Sequence, residues 1–388
     1  MDITKALHKT IENAMRRFEK SLSRPQLKAV KSVVRWIIRK STTILSALND
    51  DNDIDGGNYR EKISYHLGNI DLIDEVEAKG YACAEETEEV KGYMIASYDE
   101  SDVFKPHAEK MEWLKWVRDG STWLKGQGYV LRGMNINGIS VYSRLEEYDK
   151  NKITKSEYVM EAINHVSENM KGKRLLYVID RWWDVIELVD DLLLWEKFFL
   201  IRGKTNRILI DCKTGKRVKV TEHPIGRTKV LMEWGTEVYV WRIQRKWFKE
   251  PIILYTNVEE FDANECLEMY IRRRRIEEDF KKMKELWLED VRLFSMKKVK
   301  NILAIIQFII VLSQDVFNEV MERTTLTAQG IYLHFKKFCK WKSTTMNPQS
   351  FIRFISHYIK DYKPYVISND LDLWLFTWII SPKKLRPI

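Results

Sequence analysis

The sequence predicts an α/β fold, a mixed sheet flanked by helices, with helical regions before and after it. Three observations carry that expectation. Short apolar runs at 93–98, 129–134, 139–143, 175–179 and 198–201 have strand length, and the last three are separated from one another by helical stretches. Two of these runs end on an aspartate, Asp99 and Asp180. A later helical stretch, 270–284, holds one acid, Glu277, between cations and an aromatic ring.

Bulk properties narrow the class. A chain of 388 residues has room for two or three domains, and 45% hydrophobic against 31% charged residues reads as soluble and globular. The net charge of +9 favours an acidic partner, most simply nucleic acid. Cys83, Cys212, Cys266 and Cys339 show no metal-ligand spacing, which argues against a disulfide frame or a zinc site. The start, Met1-Asp2-Ile3-Thr4-Lys5, lacks the pattern of a signal peptide. The most apolar run, Ile302 to Leu312, is too short to span a bilayer and contains Gln307. We therefore expect a buried helix there, no membrane partner and a cytoplasmic location.

In chain order, residues 1–48 carry helical patterning: Ile11, Ala14 and Phe18, then Leu27, Val30, Val33, Val34, Ile37 and Ile38. Pro25 opens the second helix with Ser23 as its cap. Basic outer faces suit DNA binding. The stretch Asp51 to Gly56 imitates a calcium loop, but the eighth position is Asn58 and the twelfth is Lys62, so it reads as an acidic linker. The first strand ends at Asp99, with Asp102 as the alternative acid. Two strands then flank Asn135-Ile136-Asn137-Gly138 as a hairpin, and a helix follows at 156–170. The buried strand 175–179 ends on Asp180, a residue that on its own could equally cap a helix. A helix at 183–196 leads to the strand 198–201. An insertion at 203–258 contains strand-like runs 206–211, 217–221, 229–233, 237–243 and 251–256, with Gly215 and Gly235 at turns. Beyond 290 the chain is helical again, with Lys297, Lys298, Lys336, Lys337, Lys340 and Lys342 and a last aromatic segment, 373–378.

Three strands, helix, strand, helix, strand and a closing helix is the order of an RNase H-like fold. The expected division is 1–90 as a helical DNA-binding region, 91–202 with 257–292 as the catalytic core, 203–256 as a β-rich insertion, and 293–388 as a helical C-terminal region.

The chemistry follows from the acids. Phosphodiester cleavage and strand transfer need an activated water or 3′-hydroxyl and a stabilised leaving oxygen. Two divalent cations about 4 Å apart supply both, and hard cations bind carboxylate oxygens. Asp99 and Asp180 at strand ends, with Glu277 on a helix packed across them, would converge on such cations. On that helix Ile276, Phe280, Met283 and Trp287 form an apolar stripe, whereas Tyr270, Arg273, Glu277 and Lys284 lie one step round. Nothing in the stretch breaks a helix. Arg273–Glu277 and Glu277–Lys281 have the spacing of ordinary surface pairs.

The spacing Y-x2-R-x3-E-x6-K, with Tyr270, Arg273, Glu277 and Lys284, resembles the signature of the insertion-sequence DDE transposases of bacteria and archaea. Asp99 to Asp102 looks like that family's first acidic motif, and Val178-Ile179-Asp180-Arg181 like its second. Trp182-Trp183 departs from the small residues often found there. The resemblance spans roughly residues 90–290. It implies that Asp99, Asp180 and Glu277 are catalytic and bind Mg²⁺, with Mn²⁺ as the substitute. It implies that Tyr270, Arg273 and Lys284 hold phosphates and terminal nucleotides. The partners would be double-stranded DNA, as element ends and target, and a second copy of the chain in the DNA complex. The setting would be the prokaryotic cytoplasm, at the nucleoid. Arg202, Lys204 and Arg207 are further candidates for the same groove, whereas Arg272, Arg274 and Arg275 read as a solvated face. A nuclease on the same fold and a transposase-derived DNA-binding protein are the alternatives, and three intact acids argue against the latter.

Overall fold

The computed structural model describes residues 13–40, 59–119, 122–146, 154–232, 235, 237–246, 249–286 and 288–323. The calcium-loop imitation at 51–58, Trp287, the lysines at 336–342 and the aromatic segment 373–378 lie outside the described residues. The chain divides into two compact units, one of 77–109 and 113–281, the other of the remaining residues.

The first unit is built on one mixed sheet. Its centre is β1 (Met94–Phe104), β5 (Leu175–Ile179) and β6 (Phe198–Arg202), parallel neighbours in that order. Every residue of β5 is buried, which is why this strand reads in sequence as an unbroken apolar run. On the other side of β1, β3 (Lys125–Ile136) runs antiparallel, and β4 (Ile139–Leu145) returns along it. Asn137 and Gly138 make that turn with φ of 51° and 90°, the pairing that a two-residue hairpin requires. The order β4-β3-β1-β5-β6, with β3 antiparallel to both its neighbours and β1, β5 and β6 parallel, is the RNase H-like arrangement. Between β4 and β5 runs α4 (Lys155–Asn169), started by a capping box of Thr154 and Glu157, and between β5 and β6 runs α5 (Ile186–Leu194). The helix expected at 183–196 is thus shorter, because Arg181–Trp183 forms a separate 3₁₀ turn.

Two features go beyond the expected order. A short strand, β2 (Lys115–Arg118), pairs with the start of β3. The insertion also does not form a sheet of its own. Its strands β7 (Ile208–Asp211), β8 (Arg217–Lys219), β9 (Gly226–Leu231), β10 (Glu237–Ile243) and β11 (Ile252–Thr256) join the central sheet, β11 lying antiparallel to β6.

The second unit is helical. Its main elements are α1 (Arg24–Lys40), α2 (Tyr59–Gly68) and α8 (Met296–Arg323). Val30, Val33, Val34 and Ile37 bury one stripe of α1, as their spacing predicts. Phe18 meets Phe308 edge-on at 5.2 Å. Buried Asn301 anchors the chain that leaves α2: its amide donates to the carbonyls of Leu67 and Ile70, each at 3.0 Å, and its oxygen accepts from Leu72 N at 3.1 Å. Ile302 to Leu312 is buried along α8, and among the described residues no helix is long and apolar enough to cross a membrane. A further helix, α3 (Ile73–Glu85), spans the boundary between the units.

Candidate active site

The stretch expected as one unbroken helix is two. α6 (Ala263–Arg272) begins at a capping box of Asp262 and Glu265, and α7 (Arg274–Glu285) follows it directly. No proline or glycine causes the joint. The backbone tightens on both sides of Arg273, with Arg273 N donating to Tyr270 O at 3.1 Å and Ile276 N to Arg273 O at 3.0 Å. The joint accompanies the burial of a charged residue, for the Arg273 side chain is turned inward and only 7% exposed. Ile276, Phe280 and Met283 are buried, so that part of the expected apolar stripe is present.

A glycine lets α7 lie against the sheet. Gly133 pairs directly with Asp99 across the β1–β3 ladder. A Cβ at 133 would stand 2.6 Å from Cε1 of Phe280 and 3.3 Å from Cδ1 of Ile276. Because paired residues share a face, the missing side chain opens the space that brings the helix down beside Asp99.

Three acids and one cation meet there. Nη1 of Arg273 donates to Asp99 Oδ2 at 2.7 Å, and Nη2 donates to Glu277 Oε1 at 2.5 Å. Asp180 Oδ1 lies 4.0 Å from Nη2 and accepts a hydrogen bond from the Tyr270 hydroxyl at 2.8 Å. The side chains grade from buried to rim, with Asp99 19%, Asp180 32% and Glu277 53% exposed. Glu277 stands in the first turn of α7, where the helix dipole favours a carboxylate.

The alternatives left open by the sequence differ in their hydrogen bonds. Asp102 Oδ2 accepts the backbone N–H of Arg118 at 2.9 Å, so its carboxylate is engaged at the hairpin. Asp180 precedes a 3₁₀ turn yet makes no side-chain cap hydrogen bond to it. Its oxygen is taken up by Tyr270 instead.

The two aspartates differ in proton affinity. Burial raises the Asp99 carboxyl above its usual range, and the charge of Arg273 offsets this only in part. Burial acts on Asp180 in the same direction, but Arg273 and the hydrogen bond from Tyr270 outweigh it and leave the pKa lowered. Arg273 itself is held more firmly protonated, since its acidic neighbours more than offset its desolvation.

Among the described residues no three carboxylate, histidine or cysteine groups stand close enough to share a metal ion. The reason is visible, because a guanidinium occupies the middle of the three acids. The donor set nevertheless fits a hard divalent cation. It consists of carboxylate oxygens alone: Asp99 inside β1, which runs on to Phe104 instead of ending there but leaves its pairing with β5 at Tyr98, Asp180 just after β5, and Glu277 on a helix, all gathered about one positive charge.

Other candidates separate. Lys284 belongs to the helical unit and faces Glu289 at 3.9 Å. Arg202, at the end of β6, acts on both Tyr270 and Asp180. Lys204 and Arg207 do not share that role. They bind Asp184, a fully buried acid: Lys204 N and Arg207 Nη2 donate to its carboxylate at 2.6 and 2.7 Å. Sequence reasoning passed over Asp184 and Gly133. The cluster of cations at 202–207 was the available signal for a buried acid nearby. Trp183 is buried edge-on against Tyr98 at 5.8 Å, whereas Trp182 is exposed.

Residues 136–312 match the family model described as "Transposase DDE domain". That span includes Asp180 and Glu277 and begins after Asp99. No curated protein matches the chain. One similar solved structure is titled "Cryo-EM structure of piggyBac transposase synaptic complex with hairpin DNA (SNHP)". It matches with a TM-score of 0.45 and 10% identity, over 93% of this chain and 76% of that one.

Proposed function

We propose that this chain, a DDE transposase by the domain it carries over residues 136–312, binds the ends of its own element, cuts the phosphodiester bonds there and joins the ends to target DNA. The observation that supports this best is the gathering of Asp99, Asp180 and Glu277 about Arg273. Carboxylates from residues far apart in sequence are costly to bring together unless something positive is to be held between them.

In this reading the three acids hold the divalent cations, Mg²⁺ or Mn²⁺. When bound, these supply Lewis-acid stabilisation of the scissile phosphate and a more acidic attacking water or 3′-hydroxyl. The chain's own residues do the rest. Tyr270 fixes one oxygen of Asp180 and favours its charged form. Arg273 keeps Asp99 and Glu277 aligned, and its planar fork is the group that DNA phosphate oxygens would compete for. Glu277, half exposed, marks the side from which DNA approaches. Lys284 adds a phosphate contact. The division into a DNA-binding region (1–90), core (91–202 and 257–292), insertion (203–256) and C-terminal region (293–388), the homodimer on DNA and the prokaryotic nucleoid setting belong to the same proposal.

The test is incubation of the full chain with DNA bearing the element's ends and Mg²⁺. Cleaved ends joined to a second DNA support transposition. Cutting without joining would make the chain a nuclease, and binding without cutting would sink the enzymatic reading.

A further inference from the structure

We propose that the outer face of the β2–β3 hairpin is a stacking platform for unpaired nucleotides of the DNA substrate. This rests on the reading of the chain as a DNA-acting enzyme and adds a site to it.

The sequence here interleaves aromatic and basic residues: Trp113, Lys115-Trp116-Val117-Arg118, then Trp123-Leu124-Lys125-Gly126-Gln127. Tryptophan is ordinarily a large contributor to burial, yet Trp113, Trp116 and Trp123 are 57%, 73% and 70% exposed. The register explains how they are displayed. Trp116 pairs with Gln127 and Arg118 with Lys125, so these four side chains share one face of the hairpin. The Arg118 guanidinium lies 5.7 Å from the centre of the Trp123 ring, which adds that ring to the same face.

The other face is seated. A Cβ on Gly126 would stand 2.7 Å from Cε2 of Phe104, and one on Gly128 would collide with Val103 O and Val117 Cγ2. The two glycines therefore leave room for Phe104 and Val117, and β3 pairs with β1 along the same sheet, which gives the hairpin a rigid base. Trp123 also adopts φ of 63°, a conformation that bulky side chains rarely take. It is fixed by Trp123 N donating to Asp119 O and Asp119 N to Leu124 O, both at 2.8 Å. Since the ring is exposed, core packing does not account for the strain, and strain of this kind collects at binding sites.

Charge favours nucleic acid as the occupant. The neighbouring acids are engaged: Asp119 accepts from Thr122 N and Oγ1, Asp102 from Arg118 N, and Glu146 pairs with Lys115 at 3.1 Å. Arg118 and Lys125 remain on the face beside the rings. Cations alone would serve the phosphates of a duplex, whose bases are already stacked. Flat aromatic rings beside cations are what unpaired bases require. Phe104, beside the hairpin, follows Asp99 by five residues on β1, a run of about 17 Å, or roughly the rise of five stacked nucleotides.

The test uses the full chain without Mg²⁺, so that binding is read apart from cleavage. Fluorescence anisotropy compares a blunt duplex carrying the element end with the same duplex bearing a five-nucleotide single-stranded extension. Wild type should bind the extended DNA more tightly. Trp116→Ala with Trp123→Gly should lose about tenfold or more on the extended DNA and less than about twofold on the blunt one. Trp116→Phe with Trp123→Phe should retain most of the preference. The melting temperature should not fall in the Gly-containing variant, because glycine accepts the backbone conformation at 123. Equal affinity of wild type for both DNAs, or equal losses on both, would overturn the platform and leave the transposase reading standing. Failure of wild type to bind either DNA would sink both readings. A loss of self-association with DNA binding intact would assign the face to a protein partner instead.

Discussion

Gly133 sits directly across the ladder from Asp99, and the ring of Phe280 fills the space that a side chain at 133 would need. The position of the helix that carries Glu277 is thereby tied to the absence of a methyl group. Gly133→Ala should displace α7 and cost about 1–3 kcal/mol through overpacking, with a larger proportional loss of Mg²⁺-dependent cleavage than of stability. Adding Phe280→Leu should recover part of both. Thermal melting and end cleavage of the single and double variants check this, and a neutral Gly133→Ala would show that the helix is positioned otherwise.

Arg273 faces a different balance. Its surface-like spacing in sequence implies that removal would leave the fold untouched, but its burial between acids predicts otherwise. Arg273→Ala should destabilise the metal-free protein by about 3 kcal/mol, because acids are left unpaired. Added Mg²⁺ should restore much of that loss if the acids take up cations. Denaturant midpoints with Mg²⁺ and with EDTA measure it, and a variant indifferent to Mg²⁺ would count against metal binding by these acids.

Tyr270 and Asp180 give a pH dependence. The folded pKa of Asp180 is lowered from its usual 3.8, so its contribution to stability is fully present above that value and is lost as pH falls through the folded one. Tyr270→Phe removes one of the hydrogen bonds responsible. Wild type should exceed the variant in stability at pH 6, and the gap should narrow as pH falls below 3.8. Urea unfolding across that range tests the sign. Asp99 works the other way: its raised folded pKa makes its contribution diminish as pH rises beyond 3.8.

Glu277→Gln keeps shape and helix propensity while removing a charge. DNA binding should survive and Mg²⁺-dependent cleavage should fall by orders of magnitude. Asp99→Asn and Asp180→Asn should behave alike, and any two together should cost little more than one. Cleavage assays on end-bearing DNA decide the matter, and a mutant that still cuts would remove Glu277 from the site.

Strands buried on both faces were the easiest part of the fold to read. The apolar run 175–179 corresponds to β5 residue for residue, whereas 237–243 matches β10 through the alternation of buried Val238 and Val240 with less buried neighbours. The hairpin strand β2 escaped because only Val117 of its four residues is buried, so it carries little alternation. Asp180 follows β5 directly, as read, whereas Asp99 lies inside β1, whose second half carries too many polar residues to be recognised as strand, and Glu277 lies inside α7. What was not legible was tertiary: the joint at Arg273 has no helix breaker, and the buried Asp184 is explained only by cations twenty and more residues later. A sequence displays Gly133 but not which ring will settle upon it.

The wide separation of the three acids has a consequence in time. Asp99 leaves the ribosome well before Glu277, and at about 5–20 residues per second the interval is roughly ten to forty seconds. By the end of that interval the residues of β1, β5 and β6 have all been synthesised, whereas the stretch that brings both Arg273 and Glu277 comes last. The last acid thus arrives together with the cation that neutralises it, so the newly completed site is first assembled with its negative charges answered from within.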